Sequence, residues 1–174
     1  YKKENQYYGF IFLSNDTGKT WEKIEGIPPV KCMEFITDDQ ILAGTTRGLF
    51  ITSDRGRTWN STIFNHHVRL ILRSNDKLYV TGTGGLYFSD DFGWTWTPVT
   101  DTSNVIGFFC IVEDSDGIFY GGRNTGFYIS TDRGKYWVQS NNGFTAADVR
   151  EITFDREGNV YVTSFGIHRS TDNG

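Results

Sequence analysis

The chain has 174 residues, of which 16% are aromatic and 22% charged, with a formal net charge of −4. Acidic and basic residues are interspersed, so no basic stripe points to nucleic acid, and no apolar run approaches the ~20 residues of a membrane-spanning helix. Neither cysteine has metal-ligand spacing to a histidine, so no metal and no other cofactor is expected.

In chain order, residues 2–8 read as a poor second strand and residues 7–13 as a third strand, followed by the polar stretch Ser14-Asn15-Asp16-Thr17-Gly18-Lys19-Thr20-Trp21. The same phrase returns at 52–59, 89–96 and 130–137, and its first five residues at Ser170-Thr171-Asp172-Asn173-Gly174. Starts at 14, 52, 89, 130 and 170 are spaced by 38, 37, 41 and 40 residues. A period of that length marks stacked supersecondary units that cannot bury an apolar face singly. Each phrase is preceded by an apolar alternating run such as Leu49-Phe50-Ile51, and a second strand opens with its Trp. Two strand signals joined by a short Gly-containing polar stretch predict a β-hairpin. Within it, Ser/Thr and Asp accept backbone N–H groups, Gly supplies a backbone conformation other residues reach only with strain, and Trp covers the hairpin base.

Between these phrases come an inner strand (30–36, 68–72, 108–112, 149–154), a polar turn and a strand ending in small residues (41–44, 78–81, 118–121, 160–163). Four antiparallel strands per repeat predict an all-β fold, a β-propeller of four-stranded blades. The repeats fall at about 1–25 (partial), 26–62, 63–100, 101–140 and 141–174 (partial) of one propeller segment. Propellers close with roughly 4–8 blades, so the chain is expected to be an incomplete segment of a larger propeller. Further blades of a parent chain, or a symmetry mate, would cover its ends. Cys32 and Cys110 are expected as buried free thiols at different places in their repeats.

The phrase resembles the Asp-box, or bacterial neuraminidase repeat, of sialidase-like β-propellers, with Gly-Leu-Phe-Ile-Thr-Ser-Asp-Arg-Gly-Arg-Thr-Trp at 48–59 matching context as well as motif. The resemblance implies that each box sits between the third and fourth strands of a blade, away from the ligand face. It assigns structural roles to Asp16, Gly18, Trp21, Asp54, Gly56, Trp59, Asp91, Gly93, Trp96, Asp132, Gly134, Trp137, Asp172 and Gly174. A sialidase would also need an Arg-Ile-Pro phrase near the domain start, which is absent.

Ligands would bind on the loops joining blades and those joining second to third strands. Arg47 and Arg123 read as occupying similar loop places and could hold an anion. His66 and His67, adjacent on a loop, are candidate ligand-binding residues, though adjacency suits them poorly to sharing a metal, and Phe144 and Phe165 could stack on sugar rings. No residue is assigned a catalytic role. Short, regular loops favour a non-catalytic binding or scaffold module of an exported or sensor protein, facing outside the cell or the periplasm and recognising carbohydrate or protein. The alternative is a sialidase-like or xyloglucanase-like glycoside hydrolase whose catalytic residues lie largely outside these residues.

Overall fold

The computed structural model describes residues 9–99, 107–143 and 148–171. The chain divides into two compact units, Tyr1–Ile71 and Leu72–Gly174, and every regular element among the described residues is a β-strand. In the first unit Ile11–Leu13 (β1) pairs with Glu22–Ile24 (β2). Val30–Phe35 (β3), Ile41–Thr45 (β4), Gly48–Thr52 (β5) and Asn60–Ser61 (β6) follow as a four-stranded antiparallel sheet in sequential order. Val68–Ser74 (β7) leads into a second such sheet with Lys77–Gly82 (β8), Gly85–Ser89 (β9) and Thr97–Pro98 (β10). The second unit continues with Cys110–Glu113 (β11), Phe119–Arg123 (β12), Gly126–Ser130 (β13) and Val138–Gln139 (β14), again four-stranded. Glu151–Phe154 (β15), Val160–Thr163 (β16) and Ile167–Ser170 (β17) form a three-stranded sheet. Sequential four-stranded antiparallel sheets are propeller blades, as the repeat predicts.

The burial pattern follows from strand order. The second strand of each three- or four-stranded sheet lies between two others, and all five residues of β4 are buried. The outermost strands β6, β10 and β14 are exposed throughout. Leu42, Leu49 and Val68 form part of the core of the first unit. In the second, Tyr120, Phe127, Val149, Ile152, Val160 and Val162 form one buried cluster across two sheets.

The repeated octapeptide builds the same turn in all four described copies. The first hydroxyl accepts the glycine N–H (Ser14–Gly18 2.8 Å, Thr52–Gly56 3.0 Å, Ser89–Gly93 2.8 Å, Ser130–Gly134 2.8 Å). That hydroxyl donates to the Asp two residues on, and the Asp accepts the N–H four residues beyond itself. Each indole N–H donates to the glycine carbonyl, at 3.0–3.1 Å for Trp21, Trp59, Trp96 and Trp137. The glycine and the residue before it are both left-handed: Arg133 and Gly134, for example, have φ of 60° and 84°. Asp172 and Gly174 lie outside the described residues.

The four Trp side chains share that hydrogen bond but not their burial. Trp21 is 62% exposed and Trp137 only 6%, because the Trp137 ring packs 4.3 Å from that of Phe108. The polar turn expected after the inner strand is closed by its own aspartate. Asp114 accepts the N–H groups of Asp116 and Ile118 and the Tyr120 hydroxyl, and Asp155 does the same for Glu157, Asn159 and Tyr161. The spacing Asp-x-x-Gly-x-x-Tyr carries both turns.

Strand register corrects two sequence expectations. Cys32 lies opposite Gly44 and Cys110 opposite Gly122, each pair one residue before the strand-closing pair Thr45–Gly48 or Arg123–Gly126. The two cysteines therefore hold the same place in their repeats, and counting in the sequence agrees, since each lies 20 residues before the first residue of its octapeptide, Thr52 or Ser130. Each thiol packs where a glycine leaves room: a Cβ on Gly44 would meet Cys32 Sγ at 2.5 Å and Val68 at 2.6 Å, and one on Gly122 would meet Val149 at 2.5 Å and Cys110 Sγ at 2.6 Å. The same register sets Arg123 level with Thr45, whereas Arg47 sits two residues further on, inside its turn.

Candidate functional site

Each sheet presents two ends. The octapeptide turns join third to fourth strands at one end, and the turns between second and third strands lie at the other, with the loops that open each inner strand.

At the first end the carboxylates are engaged in structure. Asp16 is drawn down to about 2 by the Thr20 N–H and hydroxyl. Asp54 is drawn to about 2 by the hydroxyl and N–H of Thr58. Partial burial pulls Asp91 the other way, yet the Thr95 hydroxyl and N–H still bring it to about 2. Asp132 is lowered against burial by the Tyr136 N–H. It lacks the short hydroxyl contact of the other three, because tyrosine replaces threonine at that place. Carboxylates so held are poor proton donors near neutral pH, where a glycosidase acid needs a raised pKa.

The loop end carries a different set of groups. In the first unit Arg47 is exposed in the β4–β5 turn, its N–H held by Thr45 Oγ1 at 3.0 Å. His66 is exposed, its ring edge-on to Phe64 at 5.3 Å. His67 is half-buried, and burial followed by the charges of Arg69 and Lys31 lowers its pKa. Lys31 and Arg69 each stand one residue into an inner strand, so this end of the unit is basic. No group of three or more His, Cys, Asp or Glu suited to a metal ion occurs among the described residues.

In the second unit Arg123 ends β12 with its guanidinium 5.6 Å from the Tyr128 ring. The Tyr128 hydroxyl lies 2.8 Å from Thr125 Oγ1, and Gln139 and Asn141 donate to the Thr125 carbonyl at 2.7 and 3.3 Å. Phe165, in the β16–β17 turn, is 89% exposed. Phe144 lies outside the described residues. The sequence reading missed the best-formed constellation. Arg150 lies 4.3 Å over the Phe109 ring and donates to Asp148 at 2.7 Å, while its N–H bonds the Thr163 carbonyl at 3.0 Å. Phe109 precedes Cys110 and Arg150 precedes Glu151, residues at matching register on neighbouring inner strands, so equivalent positions of two repeats meet. The sequence signal that aligns them is the Asp-x-x-Gly-x-x-Tyr spacing, which places Asp155 41 residues after Asp114 as Arg150 is 41 after Phe109. Asp148 has φ of +79°, uncommon for a residue with a side chain, and its carboxylate is held beside Arg150 by the 2.7 Å ion pair. A planar cation stacked on an aromatic ring and oriented by a carboxylate offers donors to an anionic or hydroxyl-rich ligand beside an apolar face.

No family model matches the chain. It is 28% identical over 171 residues to a xyloglucanase of Paenibacillus sp., a match covering 89% of this chain and 15% of that protein. It is 27% identical over 187 residues to a xyloglucanase of Hypocrea jecorina, covering 95% and 22%. The chain thus spans less than a quarter of the length of these curated relatives. Among solved structures, YCF48 bound to D1 peptide matches at TM-score 0.73 and 16% identity, covering 96% of this chain and 61% of that one. The extracellular domain of a one component system from B. thetaiotaomicron matches at TM-score 0.75 and 14% identity, covering 93% and 25%. These structural likenesses establish the fold: an all-β propeller built of four-stranded antiparallel blades.

Proposed function

We propose that the chain is one Asp-box propeller segment of an exported protein, comprising the five repeats at about 1–25, 26–62, 63–100, 101–140 and 141–174, and that it binds carbohydrate or protein on its loop end without catalysing a reaction there. The observation that carries this reading is the division of labour between the two ends of each sheet. The Asp-box carboxylates are saturated by turn N–H and hydroxyl groups. The polar and aromatic groups of Phe109, Arg150 and Asp148 lie at the other end. Lys31 and Arg69 in one unit, and Arg123 and Arg150 in the other, favour a ligand that carries negative charge or many hydroxyls. A peptide-bound propeller and an extracellular sensor domain among the structural neighbours fit such a role.

Calorimetric titration of the chain with xyloglucan oligosaccharides and with acidic peptides tests the proposal. Saturable binding that Phe109→Ala or Arg150→Ala weakens at least about tenfold, corresponding to about 1.4 kcal/mol, supports it; binding indifferent to both overturns the placement of the site. The xyloglucanase relatives favour a second reading, a blade segment of a glycoside hydrolase. Release of reducing sugar from xyloglucan by the parent protein, abolished by substitutions in other blades, would establish that reading instead.

A further inference from the structure

A cleft of about 430 Å³ opens between strands β8–β10 and the fourth octapeptide turn, a volume suited to a small molecule. One wall is a row of side chains level with one another across three strands. Tyr79 on β8 pairs with Phe88 on β9 and Phe88 with Thr97 on β10, the Tyr79 and Phe88 rings lying 6.3 Å apart. Pro98 and Val99 extend this wall. Facing it are Asp132, Arg133 and Lys135 of the turn. Lys77 also lines the cleft, its Nζ 4.5 Å over the Phe88 ring and 3.7 Å from Asp90. Burial raises the pKa of the Tyr79 hydroxyl, and the nearby charge of Arg133 works against that rise. Three cations therefore share an apolar cleft with one carboxylate, that of Asp132.

Two features of this cleft depart from the repeat. The row equivalent to Tyr79, Phe88 and Thr97 is Leu42, Ile51 and Asn60 in one repeat and Tyr120, Ile129 and Val138 in another. Lys77 precedes Leu78 as Gln40 precedes Ile41 and Ile118 precedes Phe119, so a blade forms without a lysine or a phenylalanine at these places. The second departure is at Asp132. Asp16, Asp54 and Asp91 each accept a threonine hydroxyl on Oδ2, at 2.6–2.7 Å. In the fourth turn Tyr136 takes the place of that threonine, and the Asp132 bonds to Ser130 and to the Tyr136 N–H both fall on Oδ1. Oδ2 is left without a hydroxyl donor.

We infer that this cleft is a second binding site, separate from the loop end, for an aromatic carboxylate that bears a ring hydroxyl. The hydroxyl donates to Asp132 Oδ2 in place of the missing threonine. The carboxylate accepts from the ammonium groups of Lys77 and Lys135, charge-assisted bonds of the stronger kind. The ring packs along Phe88, Pro98 and Val99. A sugar acid would meet the same charges, but its remaining hydroxyls would find no partners along that apolar wall.

The test titrates the chain with the three hydroxybenzoate isomers, benzoate, phenol and glucuronate, followed by calorimetry and by ligand NMR. At least one hydroxybenzoate should bind saturably, and at least about tenfold more tightly than benzoate or phenol, each of which lacks one charged hydrogen bond. Phe88→Ala and Lys77→Met should each weaken it about tenfold. Tyr136→Thr supplies the hydroxyl that Asp132 lacks. It should weaken binding at least about fivefold while leaving the thermal midpoint unchanged or higher, a pairing that mere damage to the turn would not produce. No saturable binding below about 10 mM, equal affinity for benzoate, or full affinity in Tyr136→Thr would overturn the inference. Glucuronate bound as tightly as the hydroxybenzoates would overturn the aromatic assignment. Phe109→Ala and Arg150→Ala should leave hydroxybenzoate binding unchanged; if they weaken it, the ligand sits at the loop end and this inference fails while the proposed function stands.

Discussion

Replacing Ser130 by alanine isolates the hydroxyl that organises the repeat turn. Ser130 is 1% exposed; its Oγ accepts the buried Gly134 N–H at 2.8 Å and donates to Asp132 Oδ1 at 2.9 Å. Alanine leaves that N–H without an acceptor, at a cost of about 1–3 kcal/mol, and removes a donor from the Asp132 carboxylate. The expected loss is about 2 kcal/mol, a fall of roughly 4–8 °C in Tm for a chain of this size. Urea unfolding followed by tryptophan fluorescence and by far-ultraviolet circular dichroism measures it. Ser130→Thr provides the control, because Thr52 makes the same two bonds at 3.0 and 2.7 Å in an earlier repeat. Ligand affinity should not change, since the turn and the loop end lie at opposite ends of the third strand. A loss under about 0.5 kcal/mol for alanine, or equal damage from threonine, would refute the assignment of Ser130 as the turn's organiser.

Because Asp16, Asp54 and Asp91 are depressed from 3.8 to about 2 in the folded chain, their contribution is complete above the unfolded value and lost as pH falls through the folded one. Stability should therefore decline between about pH 4 and pH 2, and replacing the three by asparagine should flatten that decline in acid-unfolding curves. Burial pushes the Cys32 and Cys110 thiols up to about 11 and 12, so at pH 8 both should react with a disulfide reagent far more slowly in the native chain than in urea. Gly134→Ala combines a φ of +84° with a Cβ 2.5 Å from Leu86 and should destabilise by roughly 2–3 kcal/mol in denaturant titrations. Gly26→Ala, at φ +83° with nothing within 4 Å, should cost only the backbone strain of about 1 kcal/mol.

The repeat, the strand order within each blade and the hydrogen bonds of the octapeptide turn were all legible in the amino-acid sequence. Their causes are local: Ser130, Asp132, Gly134 and Trp137 lie within eight residues and bond chiefly to one another. What the sequence could not settle was register between strands and what each repeated side chain meets. A slip of one residue turns every side chain to the other face, and the bulge between Val30 and Cys32 shifts the register at the start of β3. Counting back from the octapeptide would have set Cys32 level with Cys110, each 20 residues before Thr52 or Ser130, and separated Arg47 from Arg123, five and seven residues before them. Only the tertiary structure brought Arg150 over Phe109, residues 41 positions apart in the chain. The same holds for the tryptophans. Their indole hydrogen bonds follow from the turn, while their burial, from 62% exposed at Trp21 to 6% at Trp137, depends on the rings and aliphatic groups that neighbouring strands bring alongside.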